Sequence, residues 1–166
     1  LEERIAYLDA QERELREAIS AGNMALGEIQ SIQRSLSSAE GWGTWDVFGG
    51  GMISDMAKYS HMDEAQRRIQ SLQRTLSRFR AELADVSIQA DLQLQVDGFL
   101  RFADYFFDNI FTDWAVLDRI HRSQSQMEQA ERSVQTILYR LDSAVAQCRR
   151  ERDEKRRQRD ELVLKA

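Results

Sequence analysis

Apolar residues recur along this chain at alternating steps of four and three, in three separate runs. The first passes through Leu1, Ile5, Leu8, Glu12, Leu15, Ile19, Gly22, Leu26, Ile29, Gln33 and Leu36, with Glu, Arg and Gln on its flanks. That period is the seam of a coiled coil, and it predicts a helix over about 1–38, roughly 57 Å long at 1.5 Å per residue. Gly22 and Gly27 are expected to weaken its middle by about 1 kcal/mol each relative to alanine. Ser37-Ser38 and Gly41 are expected to end it.

The second run, Met62, Ala65, Ile69, Leu72, Leu76, Phe79, Leu83, Val86 and Ala90, has no polar interruption and predicts a helix over about 62–107. Met52 to Tyr59 reads as a short helix ahead of it. Ser60, followed by Asp63 and Glu64, resembles an N-terminal cap for the long one. Past Ala90 the register slips to Leu92, Val96 and Phe99, with Gly98 at a kink. The third run, Leu117, Ile120, Gln124, Met127, Glu131, Val134, Leu138, Leu141, Val145 and Cys148, predicts a helix over about 113–165, with Thr112 and Asp113 at its N-cap.

Between the first two runs lies Gly41-Trp-Gly-Thr-Trp-Asp-Val-Phe-Gly-Gly-Gly51, which holds five of the eight glycines and two of the three tryptophans. Between the last two lies a stretch from Phe99 to Trp114 with five of the seven phenylalanines. The run lengths match an all-α, antiparallel long-helix bundle of three main helices, up-down-up, with the Gly/Trp insert at one end. In that arrangement the insert sits beside the arginine-rich tail of the third helix. Two long hairpins pairing across a dimer bury the same seams, and periodicity does not separate the two.

Composition agrees with helices. Of 166 residues none is proline, where average usage predicts roughly eight. The chain begins at Leu1 already in register and ends in charged helix, so a single domain from a longer protein is expected. The net charge of −5 argues against a general nucleic-acid binder and against electrostatic membrane attachment. The lone Cys148 lies on a seam, which predicts an inert buried thiol and a reducing, cytoplasmic setting.

Candidate chemistry is thin. His61-Met-Asp-Glu64 and Asp118-Arg-Ile-His121 each set a carboxylate and an imidazole three residues apart, as helical metal sites do. In the hairpin this pattern predicts, His121 lies opposite about residue 99, roughly 57 Å from His61, too far to share an ion. No nucleophile-elbow, zinc-protease or phosphate-loop motif occurs. Gly49 to Gly51 could turn backbone N–H groups toward an anion, but no lysine follows and Asp46 and Asp55 carry the wrong charge. The tail from Arg149 to Arg159 alternates basic with acidic residues and holds no aromatic, the mark of a solvated helix making i,i+4 pairs rather than of a nucleic-acid face. The phenylalanine-rich stretch carries three aspartates, Asp104, Asp108 and Asp113, and one basic residue, Arg101, which suits a core end-cap better than an interfacial membrane helix.

The insert is richer than a helix reversal requires, since such connections need only about two to eight ordinary residues. Trp42, Thr44, Trp45, Asp46 and Phe48 therefore form the candidate contact surface, because aromatic side chains dominate binding hot spots. A structural plug for the bundle end is the alternative role for the same tryptophans.

Gly41-Trp-Gly-Thr-Trp-Asp46, Gly49-Gly-Gly51, Ser60-His-Met-Asp-Glu-Ala65 and Tyr105-Phe-Phe-Asp-Asn-Ile-Phe-Thr-Asp-Trp114 together resemble a family of uncharacterised bacterial helical coiled-coil proteins. The resemblance implies a bacterial setting and brings no activity, cofactor or catalytic role. The sequence thus points to a non-enzymatic interaction or scaffolding module that engages a protein partner or a second copy as a homodimer, with no nucleic acid and no membrane. The competing reading is a small-molecule- or metal-binding helical protein with a site near Asp46, Asp55, His61 and Glu64.

Overall fold

A computed structural model describes the backbone of residues 1–46, 53–86, 90–110 and 117–165, and side chains within 1–34, 37, 67–68, 70–86, 93–105 and 124–165. The described chain is all-α, in four helices: α1 (Glu2–Asp46), α2 (Ile53–Asp85), α3 (Ala90–Ile110) and α4 (Leu117–Lys165). Among the described residues there is no strand. α1 packs along both α2 and α4, and α3 lies against α4 and α2.

Side-chain pairs give the directions. Along α1 and α4, Arg4 meets Glu151, Glu12 meets Arg149 and Gln30 meets Glu131, so the two helices run antiparallel. Along α1 and α2, Glu28 meets Ser71 and Ser31 meets Arg68, again antiparallel. α3 folds back on α2, with the Phe79 and Phe99 rings 6.0 Å apart at 56° and Arg80 Nη1 3.4 Å from Asp104 Oδ1.

Four of these findings correct the sequence reading. The helix expected over 62–107 is two helices: α2 ends at Asp85, and α3, from Ala90, lies back against it. That reversal lets Val96, Phe99 and Ala103 bury against α2 and α4 rather than continue into solvent. As a consequence α4 runs antiparallel to α1, not parallel to it, and its arginine-rich tail lies beside the start of α1 instead of beside the Gly/Trp insert. α1 stays helical through Gly41–Asp46, past the end expected at Ser37–Gly41. Glycine costs a helix about 1 kcal/mol per residue without forbidding it. Ser60 lies inside α2, which starts at Ile53, and so does not cap it.

The second seam holds wherever its side chains are described, and the third does so at its apolar positions, while its polar members Gln124 and Glu131 are only partly covered. Leu72, Leu76, Phe79, Leu83 and Val86 are buried, as are Met127, Val134, Leu138, Leu141, Val145 and Cys148. The first seam drifts. After Leu15 the seam positions Gly22 and Ile29 stay buried, but Ala18, Ala21, Ala25 and Ile32 join them, while Ile19 and Leu26 are only partly covered. A straight α-helix rotates against a heptad repeat, and α1 must face two neighbours rather than one.

Gly22 explains how closely the helices approach. A Cβ there would sit 2.7 Å from Leu138 Cδ2 and 2.9 Å from Phe79 Cε2, whereas at Gly27 and Gly98 it would meet nothing within 4 Å. Phe79 is fully buried and has little room to yield. Alanine at Gly27 or Gly98 should therefore raise the unfolding free energy by about 0.5–1 kcal/mol through helix propensity. Alanine at Gly22 should lower it by about 1–3 kcal/mol through overpacking. Urea unfolding of the three variants checks this, and a Gly22→Ala protein as stable as Gly27→Ala would refute the close fit.

Candidate functional site

Trp42, Thr44, Trp45 and Asp46 occupy the last turns of α1, with helical backbone, and their side chains fall outside the described residues, as does Phe48 entirely. Asp55, His61 and Glu64 are on α2, and their side chains too fall outside the description.

The fold revises the argument about the histidines. Carrying the Ser31–Arg68 pairing seven residues onward sets His61 level with Ser38, and carrying Gln30–Glu131 ten residues onward sets His121 level with Glu40. The axial separation expected from sequence vanishes, because α4 runs opposite to the predicted direction. Their heptad positions still differ. His61 repeats the position of Arg68, which reaches α1, while His121 repeats that of exposed Glu128. Level alone therefore does not assemble a ligand set. Among the described residues no group of three His, Cys, Asp or Glu side chains is placed to hold a metal, and no helix is long and apolar enough to cross a membrane.

The best-defined charged site is one that the sequence reading did not single out. Glu12 occupies a seam position, is 7% exposed, and is ringed by guanidinium groups. Its Oε1 accepts from Arg149 Nε at 2.7 Å and from Arg16 Nη2 at 2.7 Å and Nε at 3.0 Å. Its Oε2 accepts from Arg152 Nη1 at 2.5 Å. Asp9 extends the cluster, accepting from Arg152 at 3.1 Å and Arg156 at 3.1 Å. Glu2 meets Arg159 at 3.4 Å further out. Two signals could have found it: a carboxylate on an otherwise apolar seam, and an arginine-rich helix of matching length.

This arrangement alters the reading of the tail. Four of its arginines, Arg149, Arg152, Arg156 and Arg159, reach across to acidic residues of α1 rather than making only i,i+4 pairs along their own helix. The exposed outer pairs contribute little each, about 0–1 kcal/mol. Glu12 differs because it is desolvated and multiply bonded.

Hydrogen bonding from Arg149, helped by the charges of Arg149 and Arg152, holds the Glu12 carboxyl below its ordinary value, outweighing the opposing effect of burial. Nearby, burial and the Glu12 charge push the Cys148 thiol up, and its Sγ donates to the Leu8 carbonyl at 3.1 Å. A raised, buried thiol is a poor nucleophile. The site therefore locks two helices and supplies no reactive group.

A groove beside this cluster on the α1–α4 face is lined by Arg16, Ile19, Met24, Asp142, Val145 and Arg149. No protein-family model, curated protein or solved structure matches the chain. The geometry thus stands on its own.

Removing the Glu12 charge leaves several guanidinium groups facing one another, and Glu12→Gln should cost about 2–4 kcal/mol. The pH dependence has a fixed sign. The folded carboxyl titrates below its unfolded value, so its contribution is complete above the unfolded pKa of about 4.3 and is lost as pH falls through the depressed folded value. Chemical unfolding from pH 7 to pH 3 should show wild type and Glu12→Gln converging only in the acid range. A constant gap across that range would mean the carboxylate charge is not what matters.

Proposed function

We propose that this protein is a non-enzymatic, coiled-coil interaction or scaffolding module whose contact surface is the end of α1 with the Gly/Trp segment that follows it. The observation that supports the reading is the continuation of α1 into Gly41–Asp46. Trp42 and Trp45 then stand one turn apart on a helix end, where aromatic side chains three residues apart share a face. Thr44, Asp46 and Phe48 complete the surface. The partner class is a protein, in keeping with the enrichment of tryptophan in binding hot spots. A bacterial, cytoplasmic setting belongs to the same proposal, as does the Gly/Trp segment forming the tip of an antiparallel bundle.

A second reading is a metal- or small-molecule-binding helical protein using Asp46, at the end of α1, with Asp55, His61 and Glu64 of α2. Chelator-free purification followed by metal analysis separates the two. Stoichiometric metal that is lost in His61→Ala favours the second reading.

The main test compares wild type with a Trp42→Ala/Trp45→Ala variant of unchanged helicity in a pull-down from lysate of the cells that make the protein. Each captured protein is then purified and titrated against both forms. A partner whose affinity falls at least tenfold in the variant, equivalent to about 1.4 kcal/mol, supports the surface. Equal binding, with the variant less stable to heat, would make the tryptophans a structural plug.

A further inference from the structure

We propose that two copies of this chain pair back to back through the α1–α4 groove, around a two-fold axis parallel to the helices. This face is separate from the Gly/Trp segment, so the proposal goes beyond the interaction-module reading and does not depend on it. Its starting point is a set of residues that the fold of one copy leaves unexplained. Met24 is 51% exposed and Tyr139 is 74% exposed. Carrying the Gly22–Leu138 approach along both helices sets Met24 level with about residue 136, within one turn of Tyr139. Met24 lines the groove, and Tyr139 precedes by one and two turns Asp142 and Ala146, which line it from α4. Gly27 lies one turn beyond Asn23, another lining residue, and is exposed in the middle of α1, where glycine weakens a helix. A Cβ there would meet nothing within 4 Å, so packing inside one copy does not call for the glycine. With Ser20, Asn23 and Ala146 it gives this face the small side chains that permit a short distance to another helix.

Charge identifies a second copy as the occupant. Asp142 is exposed, and the residues one turn from it on α4, Leu138, Tyr139, Val145 and Ala146, carry no charge. Arg16 and Arg149 line the same groove and stay about half exposed although both reach Glu12. A two-fold axis along the helices lays α1 of each copy on α4 of the other, antiparallel and at the same level. Arg16 then falls level with about residue 144 of the second copy, two residues from its Asp142. Arg149 falls level with about residue 11, two residues from the second copy's Asp9, and Met24 comes within one turn of its Tyr139. Each contact occurs twice, as an isologous interface requires. An axis across the helices does worse. Matching Arg149 with Asp142 centres that axis between Val145 and Ala146, and it sets Arg13 of one copy against Arg16 of the other. From Asp9 to Gln30 the face is roughly 32 Å long and, across two helices, about 20 Å wide. That is on the order of 600 Å² per copy, about 1,200 Å² for the pair, which is the lower end of specific interfaces and implies a micromolar dimer.

The experiment uses the full chain, with association followed by sedimentation equilibrium from about 1 μM to about 1 mM. The expected result is a reversible monomer–dimer equilibrium. Asp142→Arg, at an exposed position, should raise the dissociation constant about tenfold or more with helicity unchanged. Gly27→Leu fills open space on the monomer, so resistance to heat should hold or rise while the dimer is lost. Cross-linking reads the axis. One chain carries Asn23→Cys and another Gln135→Cys, each in a Cys148→Ala background, and the two are mixed and oxidised. Asn23 falls level with about residue 137 of the second copy, so the mixed disulfide should dominate over those that join identical positions. A wild-type chain that stays monomeric at every concentration overturns the proposal. So does a dimer that tolerates both Asp142→Arg and Gly27→Leu, or one that cross-links mainly through identical positions. A dimer lost only in the Trp42→Ala/Trp45→Ala variant would overturn it too, and would place self-association at the end of α1.

Discussion

Everything in this molecule is hung on the antiparallel pairing of α1 with α4, and that pairing is fixed by polar residues placed on apolar seams. Glu12 is buried among arginines of α4, and Glu131 accepts from Gln30 at 3.0 Å and from Gln33 at 3.0 Å about 27 Å further along α1 by the helical rise. Neither pair is sufficient alone. Arg149 and Arg152 recur seven residues later as Arg156 and Arg159, so a slip of one heptad would still offer Glu12 two guanidinium groups. The same slip would set Leu138 against Gln30 and Gln33 and strip Glu131 of its donors. Two polar contacts at separate levels exclude what one would allow, which is how buried polar residues specify register in coiled coils.

Packing sharpens the same choice. Ala18, Ala21, Gly22 and Ala25 form a narrow stretch of α1 that is buried against large neighbours, with Phe79 and Leu138 in van der Waals reach of Gly22. Small residues on one helix and bulky ones on the facing helices fill the space that a uniform core of leucine would not. α3 completes the arrangement from the other side, with Phe99 tilted against Phe79. Beyond the α2–α3 reversal, α1 and α4 continue as a pair, and there the ion pairs replace the missing helices as the source of specificity.

The fold was legible in the sequence to the extent that it is periodic. The all-helical class, the seams of α2 and α4 and the buried state of Cys148 follow from steps of three and four, because a helix repeats its faces whatever it packs against. The Glu12 site was legible in principle, as a charge on a seam and a tail of arginines, but the reading of that tail as self-paired hid the connection. The contact residues proposed from composition, Trp42 to Phe48, were found by the rarity of tryptophan and glycine together, which marks a segment without stating what it touches.

What the sequence determined by itself is local: which stretches wind into helices, which faces are apolar, and that no strand or compact turn-rich fold is encoded. What only the tertiary structure decided is direction and the place where one helix becomes two. The sequence between Asp85 and Ala90 carries no Gly, Asn or Pro, whereas laying α3 back on α2 and α4 buries Val96, Phe99 and Ala103. That single reversal turns α4 around relative to α1, brings its arginines to Glu12 and sets the two histidines level. Helical periodicity is blind to all of this, because a seam looks the same read in either direction and only long-range contacts distinguish up from down.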